Sequence, residues 1–171
     1  MTLMEWMSRS RKRMGCALLA ACSLVFSCAA SGQDRSAAPP KDVIFARKIL
    51  MDTINNNMDE IEGMIGAGKD VDLAEAREHA DVISVMLMAF PHLFPDNTDQ
   101  WKPNVERDPG TDTYASPDVW SNYADFYKKA ADASKIAYKA SRAKEQAEFK
   151  TFVAGLREAC NNCHAAYQKS D

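Results

Sequence analysis

Residues 149–167 read FKTFVAGLREACNNCHAAY. In steps of three and four, Phe149, Phe152, Leu156, Cys160, Cys163 and Tyr167 fall on one face of a helix. The same stretch carries Cys160-Asn161-Asn162-Cys163-His164, and C-x-x-C-H is the attachment pattern of c-type haem. The spacing has a physical reason. Three- and four-residue separations bring Cys160, Cys163 and His164 to one side of a helix. Two thioether bonds can then fix one porphyrin edge while the imidazole reaches the iron. A structural zinc site needs four N or S ligands, and His79 and His92 are far away in sequence. A redox disulfide calls for a βαβ context that this chain lacks. A bundle whose C-x-x-C is merely a thiol pair is the third alternative.

The helical pattern extends backwards through the chain. Trp120, Tyr123, Tyr127, Ala130, Ser134, Ala137 and Ser141 follow the same steps, opened by Ser116 as N-cap and Pro117 at the first turn. The break between these last two helices falls near residues 141–145. Ala76, Ala80, Ile83, Leu87 and Phe90 form an earlier stripe that starts near Asp70 or Asp72 and stops before Pro91. Ile44, Met51, Met58 and Ile65 repeat every seven residues, with Arg47, Ile54 and Ile61 as a second row. Asp42 is the expected N-cap and Gly66-Ala67-Gly68 the stop. Residues 91–116, rich in Pro, Asn and Asp, read as a long connection that crosses over. No segment alternates with a period of two. The fold class is therefore all-α, four helices of about 30 Å each packed as a bundle.

The whole chain has 171 residues, five Cys, three His, seven Gly and seven Pro, with a formal net charge of −3. One domain is expected at this length, and the acidic balance argues against a nucleic-acid binder. Residues 1–32 read as a secretory signal: the basic cluster Arg9, Arg11, Lys12 and Arg13, an apolar run to Cys28, then Ala29-Ala30-Ser31-Gly32. The run is shorter than the roughly 20 residues of a spanning helix, with an uncleaved anchor as the alternative. Processing has two routes. Ala30-Ser31-Gly32 suits an ordinary signal peptidase. Leu19-Ala20-Ala21-Cys22 resembles a bacterial lipobox, and Val25-Phe26-Ser27-Cys28 is a poorer one, so a lipid anchor at Cys22 or Cys28 is the second route. Removal of residues 1–32 leaves 17 basic and 23 acidic residues, a net charge of −6. The mature chain then keeps only Cys160 and Cys163, both inside the haem motif. Residues 33–41 are expected to be a flexible lead-in and residues 42–171 the four-helix, haem-bearing domain. Covalent haem attachment outside the cytoplasm agrees with export, so the expected location is the periplasm.

A C-x-x-C-H at the extreme C-terminus of a four-helix chain resembles the cytochrome c-prime family, the class II c-type cytochromes. The resemblance covers roughly residues 42–169. It also rests on Arg47-x-x-x-Met51, on Leu93-Phe94-Pro95, on Ala115-Ser116-Pro117-Asp118-Val119-Trp120 and on His164-Ala165-Ala166-Tyr167. It implies an antiparallel four-helix bundle with one covalently attached haem c in its core and His164 as proximal iron ligand. The family's distal position falls on Met51, as in the low-spin six-coordinate members. A thioether there favours ferrous iron and suits a one-electron carrier. Met58, two turns on, is the second choice, and core packing is the alternative for either Met. In five-coordinate gas-binding relatives, which take nitric oxide or carbon monoxide, the distal residue does not ligate. Many of those relatives carry an Arg where this chain has Gln168.

Arg47 lies on an apolar face, where a guanidinium is costly unless paired. The resemblance gives it a haem propionate as partner; the alternative is an Arg at the bundle's end reaching water by its stem. Tyr167, Trp120, Leu87 and Phe90 are candidate pocket residues, with Tyr123, Tyr127 and Phe152 as further candidate walls. The small row Ala130, Ser134 and Ala137 could admit a flat macrocycle or simply pack helices closely. His79 reads as a solvated-face residue, His92 as a structural loop His, and Lys128-Lys129 as a solvated patch or a docking patch. No paired carboxylates, nucleophile–base arrangement or phosphate loop are present, so a carrier rather than an enzyme is expected. Redox proteins are the expected partners, and the family suggests a homodimer.

Overall fold

The computed structural model describes residues 38–66, 70–106, 108 and 112–169. The export segment with Cys16, Cys22 and Cys28 lies outside the described residues. The first helix, α1 (Pro40–Met64), starts earlier than the Asp42 cap predicted: Pro39 is the capping residue and Asp42 sits in the first turn. Pro40 explains this, because its fixed φ suits a first helical position and it has no N–H to satisfy. In α2 (Leu73–Ala89) the cap is Asp72, whose carboxylate accepts from the N–H groups of Ala74 and Glu75, each at 3.1 Å. Pro91 ends the regular ladder, and a short 3-10 turn, Phe90–Leu93, follows.

The third predicted helix is broken in two. A single turn, α3 (Asp118–Ser121), precedes α4 (Tyr123–Ser141), with Asn122 out of helical geometry between them. Pro117 rather than Ser116 is the capping residue of α3, one position later than predicted, although the Ser116 hydroxyl still accepts from the Asp118 N–H at 3.1 Å. Within α4 the small members of the predicted row, Ala130, Ser134, Ala137 and Ser141, are buried as expected. At its start Phe126 takes the buried position, whereas Tyr123 and Tyr127 lie on the exposed rim. The last helix, α5 (Gln146–Tyr167), follows four residues later.

Paired residues give the topology. Arg77 reaches the Ser141 carbonyl, Ser134 the Ser84 carbonyl, and Tyr123 the Pro91 carbonyl, so α2 and α4 run antiparallel. Phe126, early in α4, stacks edge-on with Tyr167 at the end of α5, so that pair is antiparallel too. The connection after α2 therefore leaves and returns at one end of the bundle instead of crossing its length. On the way it meets α1 through Arg47 and α5 through Tyr167.

Close helix pairs are α1 with α2, α2 with α4, and α4 with α5; α1 and α5 have no comparable backbone packing. Small residues make the α2–α4 approach possible: Ser134 and Ala137 are buried, and the Ser134 hydroxyl donates to the Ser84 carbonyl at 2.7 Å. The larger core joins Met58 and Ile61 of α1, Ile83 of α2, Ala137 of α4, and Phe149 and Leu156 of α5. A smaller cluster of Phe94, Val119, Phe126 and Tyr167 closes the loop end. This is the four-helix bundle read from the sequence, α3 and α4 together forming its third helix. Among the described residues, no helix is long and apolar enough to cross a membrane.

Candidate functional site

Where the two clusters meet, a cavity of about 440 Å³ opens between α1 and α5. That volume lies in the range of sites that enclose a small organic group. Its α5 wall carries Cys160, Cys163, His164 and Tyr167; its α1 wall carries Arg47, Met51 and Ile54. Thus the C-x-x-C-H face and the Arg47-x-x-x-Met51 face border one space. Met58 does not: it is fully buried in the larger core.

Cys160 and Cys163 are free, half-buried thiols. Burial pushes both up, Cys163 to about 11. Burial and the nearby Arg157 cation push the His164 imidazole down, which favours its neutral form. Two thiols and an imidazole on one helix thus border the same space as a thioether on another, the kinds of donor that haem c chemistry uses.

Arg47 overturns the alternative of a terminal Arg reaching water: it is only 4 % exposed. Its Nη1 donates to Thr98 Oγ1 at 3.0 Å, and Nη2 donates to the Thr98 carbonyl at 3.2 Å and to Thr113 Oγ1 at 2.5 Å. The guanidinium carbon lies 4.6 Å from the Phe94 ring centre and 5.6 Å from that of Trp120. No carboxylate among the described residues pairs with it. Burial lowers its pKa to about 10, against the pull of Asp99, so it stays charged at neutral pH. Three of its five N–H groups are engaged, leaving two for a further acceptor.

Tyr167 lines the cavity, and its hydroxyl donates to Asp125 Oδ2 at 2.6 Å. Burial and then that bond push its pKa up to about 12. The last turn of α5 is also tied to the loop. The Ser116 N–H donates to the Tyr167 carbonyl at 2.8 Å, and the Lys169 N–H to the Tyr114 carbonyl at 2.9 Å.

The candidate walls divide. Leu87 and Phe90 border the cavity; Trp120, Tyr123, Tyr127 and Phe152 do not. Trp120 packs instead on Phe94 and the Arg47 guanidinium. Phe152 packs on the larger core. Of the small row, Ala130 borders the cavity while Ser134 and Ala137 serve the helix interface. His79 is half-buried rather than on a solvated face, with Nδ1 2.7 Å from Asn57 Oδ1. His92 is exposed against the Tyr127 ring. Sequence reasoning missed Phe126, one turn before Ala130 on the buried side of α4, because the row was drawn through Tyr123 and Tyr127; it also missed Thr98 and Thr113, which sit in a loop without periodicity. Lys128 and Lys129 pair within their own helix with Asp132 and Asp125.

The family model described as Cytochrome C′ matches residues 42–168. A cytochrome c′ of Pararhodospirillum photometricum is 26% identical over 136 residues, covering 77% of this chain and all of the relative. A cytochrome c-556 of Agrobacterium fabrum is 26% identical over 150 residues, covering 85% of this chain and 91% of the relative. Among solved structures, cytochrome c′ of Thermochromatium tepidum superposes with a TM-score of 0.67 at 22% identity, covering 77% of this chain and 98% of that one. The oxidised cytochrome c556 of R. palustris does so with a TM-score of 0.63 at 26% identity, over 76% and 98%.

Proposed function

The chain belongs to the cytochrome c′ family, and on that premise we propose that it is a periplasmic one-electron carrier with His164 and Met51 as axial ligands. As a family member it is a monohaem c-type cytochrome with one haem c covalently attached. The cavity fits that group. Cys160 and Cys163 would form the two thioethers, His164 would take the proximal position and Met51 the distal one. Arg47, with two N–H groups to give, would bind a propionate. When bound, the haem supplies a ferric–ferrous couple.

The residues of the chain do the rest. Cys160 and Cys163 would fix the macrocycle to α5, and the Ser116 N–H bond to the Tyr167 carbonyl holds the turn that carries His164. Leu87, Phe90 and Phe126 exclude water from the interior. Low local polarity and a soft thioether both favour the reduced state.

The observation that supports the reading is that Met51, and not Met58, borders the same cavity as His164. The five-coordinate gas-binding reading has a narrower support, the apolar Ile54 and Leu87 bordering the same space. Absorption spectra of the purified ferric protein test between them. A weak long-wavelength sulfur-to-iron band is expected, lost in Met51→Ala. Its absence from the wild type, with rapid carbon monoxide uptake by the reduced protein, would refute Met51 ligation.

The export segment accords with the periplasm, with Cys22 or Cys28 as a lipid-anchor site if the lipobox is used. Other redox proteins are the proposed partners, and self-association into a homodimer is the proposed assembly.

A further inference from the structure

The connection between α2 and α4 buries two threonines against one cation. Thr98 is fully buried and Thr113 nearly so. The Thr98 hydroxyl is used in both directions, accepting from Arg47 Nη1 and donating to the Pro95 carbonyl at 2.7 Å. The Thr113 hydroxyl accepts from Arg47 Nη2 and from the Ala115 N–H at 3.1 Å. Every one of these acceptors is neutral. They orient the guanidinium without cancelling its charge, and the Phe94 ring face adds a further neutral stabilisation. A long side chain from α1 would otherwise have many rotamers, each ordered only at an entropic cost.

We propose that Thr98 and Thr113 are positioning residues that aim the Arg47 charge at the haem cavity and so raise the reduction potential of the iron. The inference rests on the reading that Arg47 faces the haem. A positive charge held beside the site disfavours the ferric form; letting it swing away, which would leave the proposed propionate partner unpaired, favours the ferric form. Valine has nearly the shape of threonine but its side chain accepts no hydrogen bond, so Thr→Val removes the hydroxyl contact and keeps the volume; at Thr98 the backbone carbonyl still accepts from Nη2.

The test is an equilibrium redox titration of the full haem-loaded protein. Arg47→Gln is expected to raise the ferric-to-ferrous ratio at fixed applied potential on the order of tenfold, about 59 mV for one electron. Thr113→Val and Thr98→Val are expected to shift it in the same direction by a smaller factor, and Thr113→Ser to restore the wild-type value. In an Arg47→Gln background, Thr113→Val is expected to add nothing. If Thr98→Val does not load haem, Thr113→Val and Thr113→Ser carry the test. Wild-type potentials in the Thr→Val variants, with Arg47→Gln shifted, would overturn the positioning role; so would a Thr113→Val shift that persists in the Arg47→Gln background. No shift in Arg47→Gln itself would instead remove the underlying reading of Arg47.

Discussion

Tyr167→Phe keeps a ring and removes one hydroxyl from the turn that carries His164. The ring is buried, 5.3 Å from Phe126 centre to centre, and that packing survives the change. What goes is the 2.6 Å bond to Asp125. A hydrogen bond to a charged group contributes about 1.5–3 kcal/mol. Asp125 is 55% exposed and has Lys129 at 3.7 Å, so its carboxylate regains water once released. The expected loss is therefore near the lower bound, about 1–1.5 kcal/mol. Urea unfolding of the haem-loaded protein measures it as a lower midpoint at unchanged slope. A double-mutant cycle with Asp125→Asn isolates the pair. The pH arm has a definite sign. The fold raises the Tyr167 pKa to about 12, so it favours the protonated phenol. That contribution is complete below the ordinary value of about 10 and is lost as pH climbs through 12. Tyr167→Phe should lack this alkaline loss. A stability within about 0.3 kcal/mol of wild type, with no coupling to Asp125, would refute the reasoning.

Leu156→Ala empties a fully buried position of the larger core and is expected to cost about 2.7–5 kcal/mol. Because Leu156 does not border the cavity, the haem spectrum should be unchanged when the same samples are read by absorbance. Gly155 lies inside α5, where an added Cβ would meet only Ile136 Cγ2 at 4.0 Å, an ordinary contact. Gly155→Ala should therefore stabilise by about 0.5–1 kcal/mol, read as a higher urea midpoint.

Much of the fold was legible because helices advertise themselves locally. The rows through Ile44, Ile54, Met58 and Ile61, and through Ala76, Ala80, Ile83 and Leu87, are buried as their spacing predicts. The covalent motif was legible for the same reason: Cys160, Cys163 and His164 need only one turn of one helix to be brought together. Tertiary structure decided what local spacing cannot carry. Asn122 breaks the helix before α4, and at the start of α4 it is Phe126 that is buried while Tyr123 and Tyr127 stay on the rim. Trp120 went to Arg47 rather than to the cavity, because α3 packs against the loop end. Thr98 and Thr113 belong to a segment with no period, and their shared role exists only because the loop returns to the end from which it left. The sequence by itself determined four amphipathic helices and the chemistry borne by the last of them. Only the packed bundle decided that Met51 and His164 share a cavity, since the separation of α1 from α5 depends on every helix between them.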